Sequence, residues 1–187
     1  MALQQYYISL TFGMTHVIYL APSVIFWKAK KLETEEVLSR EFDRVIALLG
    51  GDATFKYPLK TALDAHEVIS KGFPSTVLTE LVANVALIQH SDALEKAIGI
   101  SMRTFQRRKG ETTAKLLSPE QSGRAWKFAE ILAETTDIFG SQEEAEQWLE
   151  RPAIGLNQKR PIDLLSTPAG SQLVVQLLER IEFGVYT

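Results

Sequence analysis

Apolar residues recur every three to four positions along most of this chain, and the punctuation between these runs is that of helices. Thr34 is placed to cap a helix with Glu35 and Glu36 in its first turn, and Val37, Leu38, Phe42, Val45, Ile46 and Leu49 follow at helical spacing up to Gly50-Gly51. A second helix is expected from about Leu59 to Lys71, stopped by Gly72 and Pro74, and a third from Ser75 with Val77, Leu78, Leu81, Val82 and Val85 inward. Ser118-Pro119-Glu120-Gln121 reads as a capping box with proline at the first helical position. Trp126, Ala129, Leu132 and Ala133 form the apolar stripe behind it, which runs to Gly140. Ser141-Gln142-Glu143-Glu144 starts the next helix by the same chemistry, and Pro152 ends it. Thr167-Pro168 opens the last one, with Val174, Leu177, Leu178 and Ile181 on one face. Strand patterns are nearly absent, Phe55-Lys56-Tyr57 being too short to count. The expected fold is all-α.

No internal repeat interrupts this series. The periodicity breaks most clearly between Lys109 and Leu117, and we place a boundary there. The expected organisation is an N-terminal extension (1–30), a helical domain (31–112) and a C-terminal helical domain (113–187). Residues 1–27 contain no Lys, Arg, Asp or Glu. They lack the basic start of a secretory signal, and polar residues interrupt them too often for a membrane span. Packing on the domain or on a twin subunit is the simplest expectation for them.

Composition adds little to this picture: 45% hydrophobic and 23% charged residues describe an ordinary globular chain. The absence of cysteine excludes disulfides and thiolate-bound metal, and suits a cytoplasmic location. With a net charge of −3, any nucleic-acid binding must rest on locally concentrated basic residues.

Such a concentration exists. Residues 92–109, DALEKAIGISMRTFQRRK, have the form of a helix-turn-helix. Ser91 is placed to cap a short first helix, Gly99 allows the turn, Ile100 plugs it, and Ser101 caps the second helix. Phe105 is expected to face the core, which turns Met102, Arg103, Gln106 and Arg107 outward. Arg and Gln are the side chains that read guanine and adenine edges in a major groove. Arg108, Lys109 and Lys115 lie where phosphate contacts position a recognition helix. The expected DNA-contacting set is therefore Ser101, Met102, Arg103, Gln106, Arg107, Arg108 and Lys109. Glu95, four residues before Gly99, departs from the small apolar residue common at that place. Residues 101–115 carry five basic residues against Glu111, whereas Gly110 to the end carries seven basic and twelve acidic, a net −5. Opposite charge on neighbouring regions suits two surfaces with different partners.

The C-terminal stretch carries a longer pattern: Phe139-Gly140, Ala145, Trp148-Leu149, Pro152, Leu156, Pro161, Leu164-Leu165, Thr167, Gly170, Val174, Leu178, Ile181 and Gly184. Taken as structure, most of these positions are core, a helix stop at Gly140 and a close approach at Gly170. The end is different, because Phe183, Val185 and Tyr186 would leave apolar area in water at a chain terminus, about 25 cal/mol per Å². Such an end folds back or docks in a partner. The ordered pattern resembles the toxin-binding domain of the MbcA/ParS/Xre antitoxins, from about residue 75 onward and best from Phe139.

The resemblance implies a Cro-like helix-turn-helix half and a small helical toxin-binding half. It implies a cognate partner, an NAD-degrading toxin of the RES type encoded alongside, whose active-site cleft the antitoxin's end blocks. Arg180, Ile181, Glu182, Phe183, Gly184, Val185 and Tyr186 are then the toxin-binding residues. It further implies binding to the promoter DNA of the chain's own operon, as a homodimer, since paired half-sites multiply the small affinity of one recognition helix. A stand-alone helix-turn-helix regulator with a dimerising C-terminal domain is the alternative.

No membrane partner and no cofactor are expected. His16, His66 and His90 are scattered, and no phosphate loop, dinucleotide fingerprint or nucleophile elbow occurs. The carboxylates, Glu143, Glu144 and Glu146 among them, read as solvated helix faces. The chain is expected to act by binding and not as an enzyme.

Overall fold

Ser118 and Gln121 start the helix around which the others pack. The Ser118 hydroxyl accepts from the Gln121 amide (3.1 Å), and the Gln121 side chain accepts from the Ser118 amide (3.3 Å). Pro119 occupies the first helical position, and Gly140 closes the helix in the left-handed conformation. Nine residues of this helix are buried, so one element of 21 residues supplies apolar surface to partners on several sides.

The computed structural model describes residues 39–55, 58–89, 92–109 and 115–184. The expectations for residues 1–30, for the Thr34 cap and for Ser91 lie outside them. Among the described residues the backbone forms helices and no strand: α1 (39–48), α2 (Ala62–Lys71), α3 (Ser75–Asn84), α4 (Ala93–Ile98), α5 (Met102–Lys109), α6 (Pro119–Phe139), α7 (Gln142–Glu150), α8 (Pro161–Leu164) and α9 (Pro168–Glu182). The fold is all-α. Residues 40–187 make up one unit by their contacts. Within it α6 touches α2, α4, α7 and α9, and α4 also touches α8. Helix α1 joins through Phe42, whose ring lies 5.6 Å from that of Trp126, and through Arg44, which pairs with Asp137 and donates to the Ala133 carbonyl.

The start of α2 differs from the expectation, whereas α3 opens at Ser75 as expected. Helix α2 begins at Ala62, because Thr61 and Asp64 form a reciprocal capping box while Leu59 is drawn into the core ahead of it. Pro74 holds the capping position of α3, and the Ser75 amide donates to the Lys115 carbonyl. Helix α4 starts after Asp92 with no side-chain cap. Ser141 and Thr167 do cap α7 and α9, accepting from the amides of Glu144 and Gly170. The last loop hides one further turn of helix, α8, opened by Pro161. Helix α9 then approaches so closely that a Cβ on Gly170 would lie 2.0 Å from the Leu164 carbonyl oxygen, which is the close approach expected there.

Candidate nucleic-acid and partner interfaces

Helices α4 and α5 and the turn between them form the expected helix-turn-helix. Gly99 ends α4 with φ 80°, and its amide donates to the Glu95 carbonyl at 2.8 Å. Ile100 is 2% exposed and closes the turn from inside. Ser101 caps α5: its hydroxyl accepts from the Thr104 amide at 3.3 Å and lies 3.1 Å from the Thr104 hydroxyl.

A residue that the sequence reading passed over secures this turn. Arg124, on α6, donates from Nε to the Ala97 carbonyl (3.2 Å) and from Nη2 to those of Lys96 (2.6 Å) and Glu95 (3.2 Å). The Lys96 and Ala97 carbonyls lie in the last turn, where a helix leaves carbonyls without intrahelical partners and a cation meets the negative pole of the helix dipole; the Glu95 carbonyl is shared with the Gly99 amide. Nothing in the sequence near Arg124 marks this role, because the partners lie 27 to 29 residues away.

Helix α5 presents its polar face as expected at most positions. Phe105 is buried, while Arg103, Gln106, Arg107 and Lys109 are exposed. Arg103 and Arg107 are one turn apart and Gln106 lies beside them, so the three share one face. Two residues depart from the expectation. Met102 is half-buried against the core, because its position on α5 falls toward Phe105's side. Arg108 is also half-buried, and its Nη1 has no hydrogen-bond partner among the described residues. Ser101 spends its hydroxyl on the helix cap.

In the C-terminal part, Leu149, Val174 and Leu178 are fully buried, and Trp148 stacks on Phe139 at 5.5 Å. Along α9, Ile181 is half-buried, whereas Arg180, Glu182, Phe183 and Gly184 are exposed, Phe183 at 74%. Val185 and Tyr186 lie outside the described residues.

Glu146 contradicts the reading of the acidic cluster as a solvated face. Glu143 and Glu144 are exposed, but Glu146 is buried and accepts from the Leu87 amide (2.7 Å) and from Gln142 (2.7 Å). Gln142 in turn donates to the Asn84 carbonyl at 2.7 Å. A further link joins the N-terminal side of α4 to α8. Arg160 forms a two-pronged pair with Asp163 (2.9 and 2.7 Å) and reaches Asp92 at 3.5 Å. The Arg160 guanidinium holds the Asp163 carboxyl below the usual carboxylate range.

Burial, together with the carboxylates of Glu41, Glu179 and Glu182, pushes Glu134 on α6 up to about 7, and burial likewise raises Glu41. Among the described residues no group of three or more potential ligands is placed to hold a metal ion, and no helix is long and apolar enough to cross a membrane.

This geometry defines a helical protein in which a helix-turn-helix is packed against a C-terminal helical module. Comparison with known proteins gives the same two parts. Residues 64–130 match the antitoxin Xre-like helix-turn-helix domain, and residues 135–184 match the antitoxin Xre/MbcA/ParS C-terminal toxin-binding domain. An antitoxin Xre of Photorhabdus laumondii is 30% identical over 136 residues, covering 71% of this chain and 87% of that protein. An antitoxin Xre of Yersinia enterocolitica is 33% identical over 93 residues, covering 49% of this chain and 62% of its own. A Prs ADP-ribosylating antitoxin of a Sphingobium species is 27% identical over 133 residues, covering 66% and 81%. The chain belongs to the Xre/MbcA/ParS family of antitoxins.

Proposed function

We propose that this chain neutralises a cognate RES-type, NAD-degrading toxin by placing its C-terminal end in the toxin's active-site cleft, and that it represses its own operon through α5. The observation that carries the first half is the match of residues 135–184 to a toxin-binding domain whose last described residues leave Phe183 in water. Aromatic and Arg side chains anchor most interfaces, and Arg180, Ile181, Glu182, Phe183, Gly184, Val185 and Tyr186 supply them here. The name of the Sphingobium relative supports the chemistry of the target, since ADP-ribosylation consumes NAD.

The second half rests on the shared face of Arg103, Gln106 and Arg107 and on the basic charge around it. Phosphate contacts by Lys109 and Lys115 would set the register of α5, and the three-residue face would read bases. A homodimer supplies the two half-sites that such a short helix needs.

The test is NAD consumption by the purified toxin encoded beside this chain, titrated with the full-length chain. Inhibition that reaches completion at a fixed stoichiometry is the expected result. Undiminished NAD consumption in the presence of an excess would refute the proposal.

A further inference from the structure

The loop between α7 and α8 holds an apolar side chain in water on a well-fixed backbone. Ile154 is 84% exposed, the highest figure among the exposed large hydrophobic residues described. Its loop is tied across: the Ala153 amide donates to the Lys159 carbonyl (3.1 Å), and the Gln158 amide to the Ala153 carbonyl (3.0 Å). Asn157 and Gln158 both lie in the left-handed region, φ 52° and 61°, which asparagine tolerates and glutamine rarely adopts. Leu156 is buried beneath. Strain retained in a firmly hydrogen-bonded loop that exposes an apolar residue is the pattern of a recognition surface.

The exposed area extends onto α9. Gly155 sits against Leu177 so closely that a Cβ would lie 2.6 Å from its Cδ1. Leu173, one turn before Leu177, is 51% exposed. Ile154 precedes Gly155 in the loop and Leu173 precedes Leu177 by one turn of α9, so the Gly155–Leu177 contact joins the two exposed residues' elements.

Charge narrows the kind of partner. The loop, residues 151–160, contains Arg151, Lys159 and Arg160 and no acidic residue. Elsewhere in residues 135–184 there is one basic residue, Arg180, against eight acidic ones. Arg160 is engaged by Asp163 and Asp92, so the exposed Arg151 and Lys159 border Ile154.

We propose that Ile154 and Leu173, bordered by Arg151 and Lys159, form an anchor that enters an apolar recess rimmed by carboxylates on the cognate toxin. This contact is separate from the C-terminal end, and the inference rests on the toxin-binding reading above. A two-fold dimer of this chain centred on the patch fits less well, because Arg151 and Lys159 would meet their own copies. The fixed backbone means that little ordering is lost on binding.

The test uses full-length chain and the toxin encoded beside it, inactivated by substitution, with affinity measured by calorimetry. Ile154→Asp and Leu173→Asp are each expected to weaken binding by about tenfold or more, with thermal midpoints unchanged because both side chains are exposed. Lys159→Glu is expected to weaken binding more at low salt than at high salt. Affinities of both aspartate variants within about twofold of the unchanged chain would overturn the anchor while leaving the antitoxin reading intact. Loss of self-association with toxin binding kept would also overturn it, assigning the patch to a second copy. Failure of the unchanged chain to bind the toxin would remove the reading on which the anchor rests.

Discussion

Arg124 reaches across from α6 to hold the end of α4, and its Nη1 would lie 2.7 Å from a Cβ placed on Gly99. The two residues are matched: the guanidinium covers the carbonyls that α4 leaves open, and only glycine leaves room for it at a φ of 80°. The geometry of the turn therefore depends on a residue beyond the helix-turn-helix itself. Arg124→Ala is expected to cost about 1.5–3 kcal/mol, the range for hydrogen bonds to a charged group. Urea unfolding checks it, and Arg124→Lys should recover only part, because an ammonium cannot span the same carbonyls.

Arg103→Ala and Arg107→Ala are expected to remove promoter binding, each bidentate base contact being worth about 1–3 kcal/mol. Neutralisation of the toxin should be unchanged. Promoter shift assays and a toxin-inhibition assay on the same preparations separate the two surfaces.

Truncation after Leu178 should do the reverse, abolishing inhibition of the toxin while sparing promoter binding. The helix keeps its buried Val174 and Leu178, so the shortened chain is expected to fold. Unchanged inhibition would show that the exposed end is not the blocking element.

The two matched family domains meet along α6, and Glu146 bonds one to the other through the Leu87 amide. Glu146→Ala leaves that amide buried without its acceptor, a loss of about 1–3 kcal/mol. Residues 64–130 and 135–184 should still unfold in one transition. Two separate transitions in calorimetry of the unchanged chain would contradict this coupling.

Glu134 supplies a pH dependence of definite sign. Its folded pKa, about 7, lies above its ordinary value of 4.5, so the folded state prefers it protonated. Ionisation above about pH 7 disfavours folding, and stability should rise as pH falls from about 8 toward 5. Glu134→Gln is expected to raise the thermal midpoint at about pH 8 and to flatten this slope, as followed by circular dichroism across that range.

Much of this architecture is legible in the residues themselves. Apolar spacing and the caps at Ser118, Ser141 and Thr167 locate the long helices, and Gly99, Ile100, Ser101 and Phe105 outline the helix-turn-helix, because each of these acts within a turn or two of its own position. What escapes such a reading acts over distance. Arg124 and Glu146 look like solvated charges, since their partners at Ala97 and Leu87 are near only after folding. Arg108 is turned partly inward by packing that α5's own pattern does not contain, whereas Met102 follows from its place three residues before Phe105. The short helix α8 is hidden because four residues cannot display a period.

Co-expression of this chain with the product of the adjacent gene, following growth and cellular NAD, tests the proposed neutralisation directly. The neighbour alone is expected to deplete NAD and arrest growth, and this chain to restore both. NAD depletion that persists with the chain abundantly expressed would contradict that neutralisation.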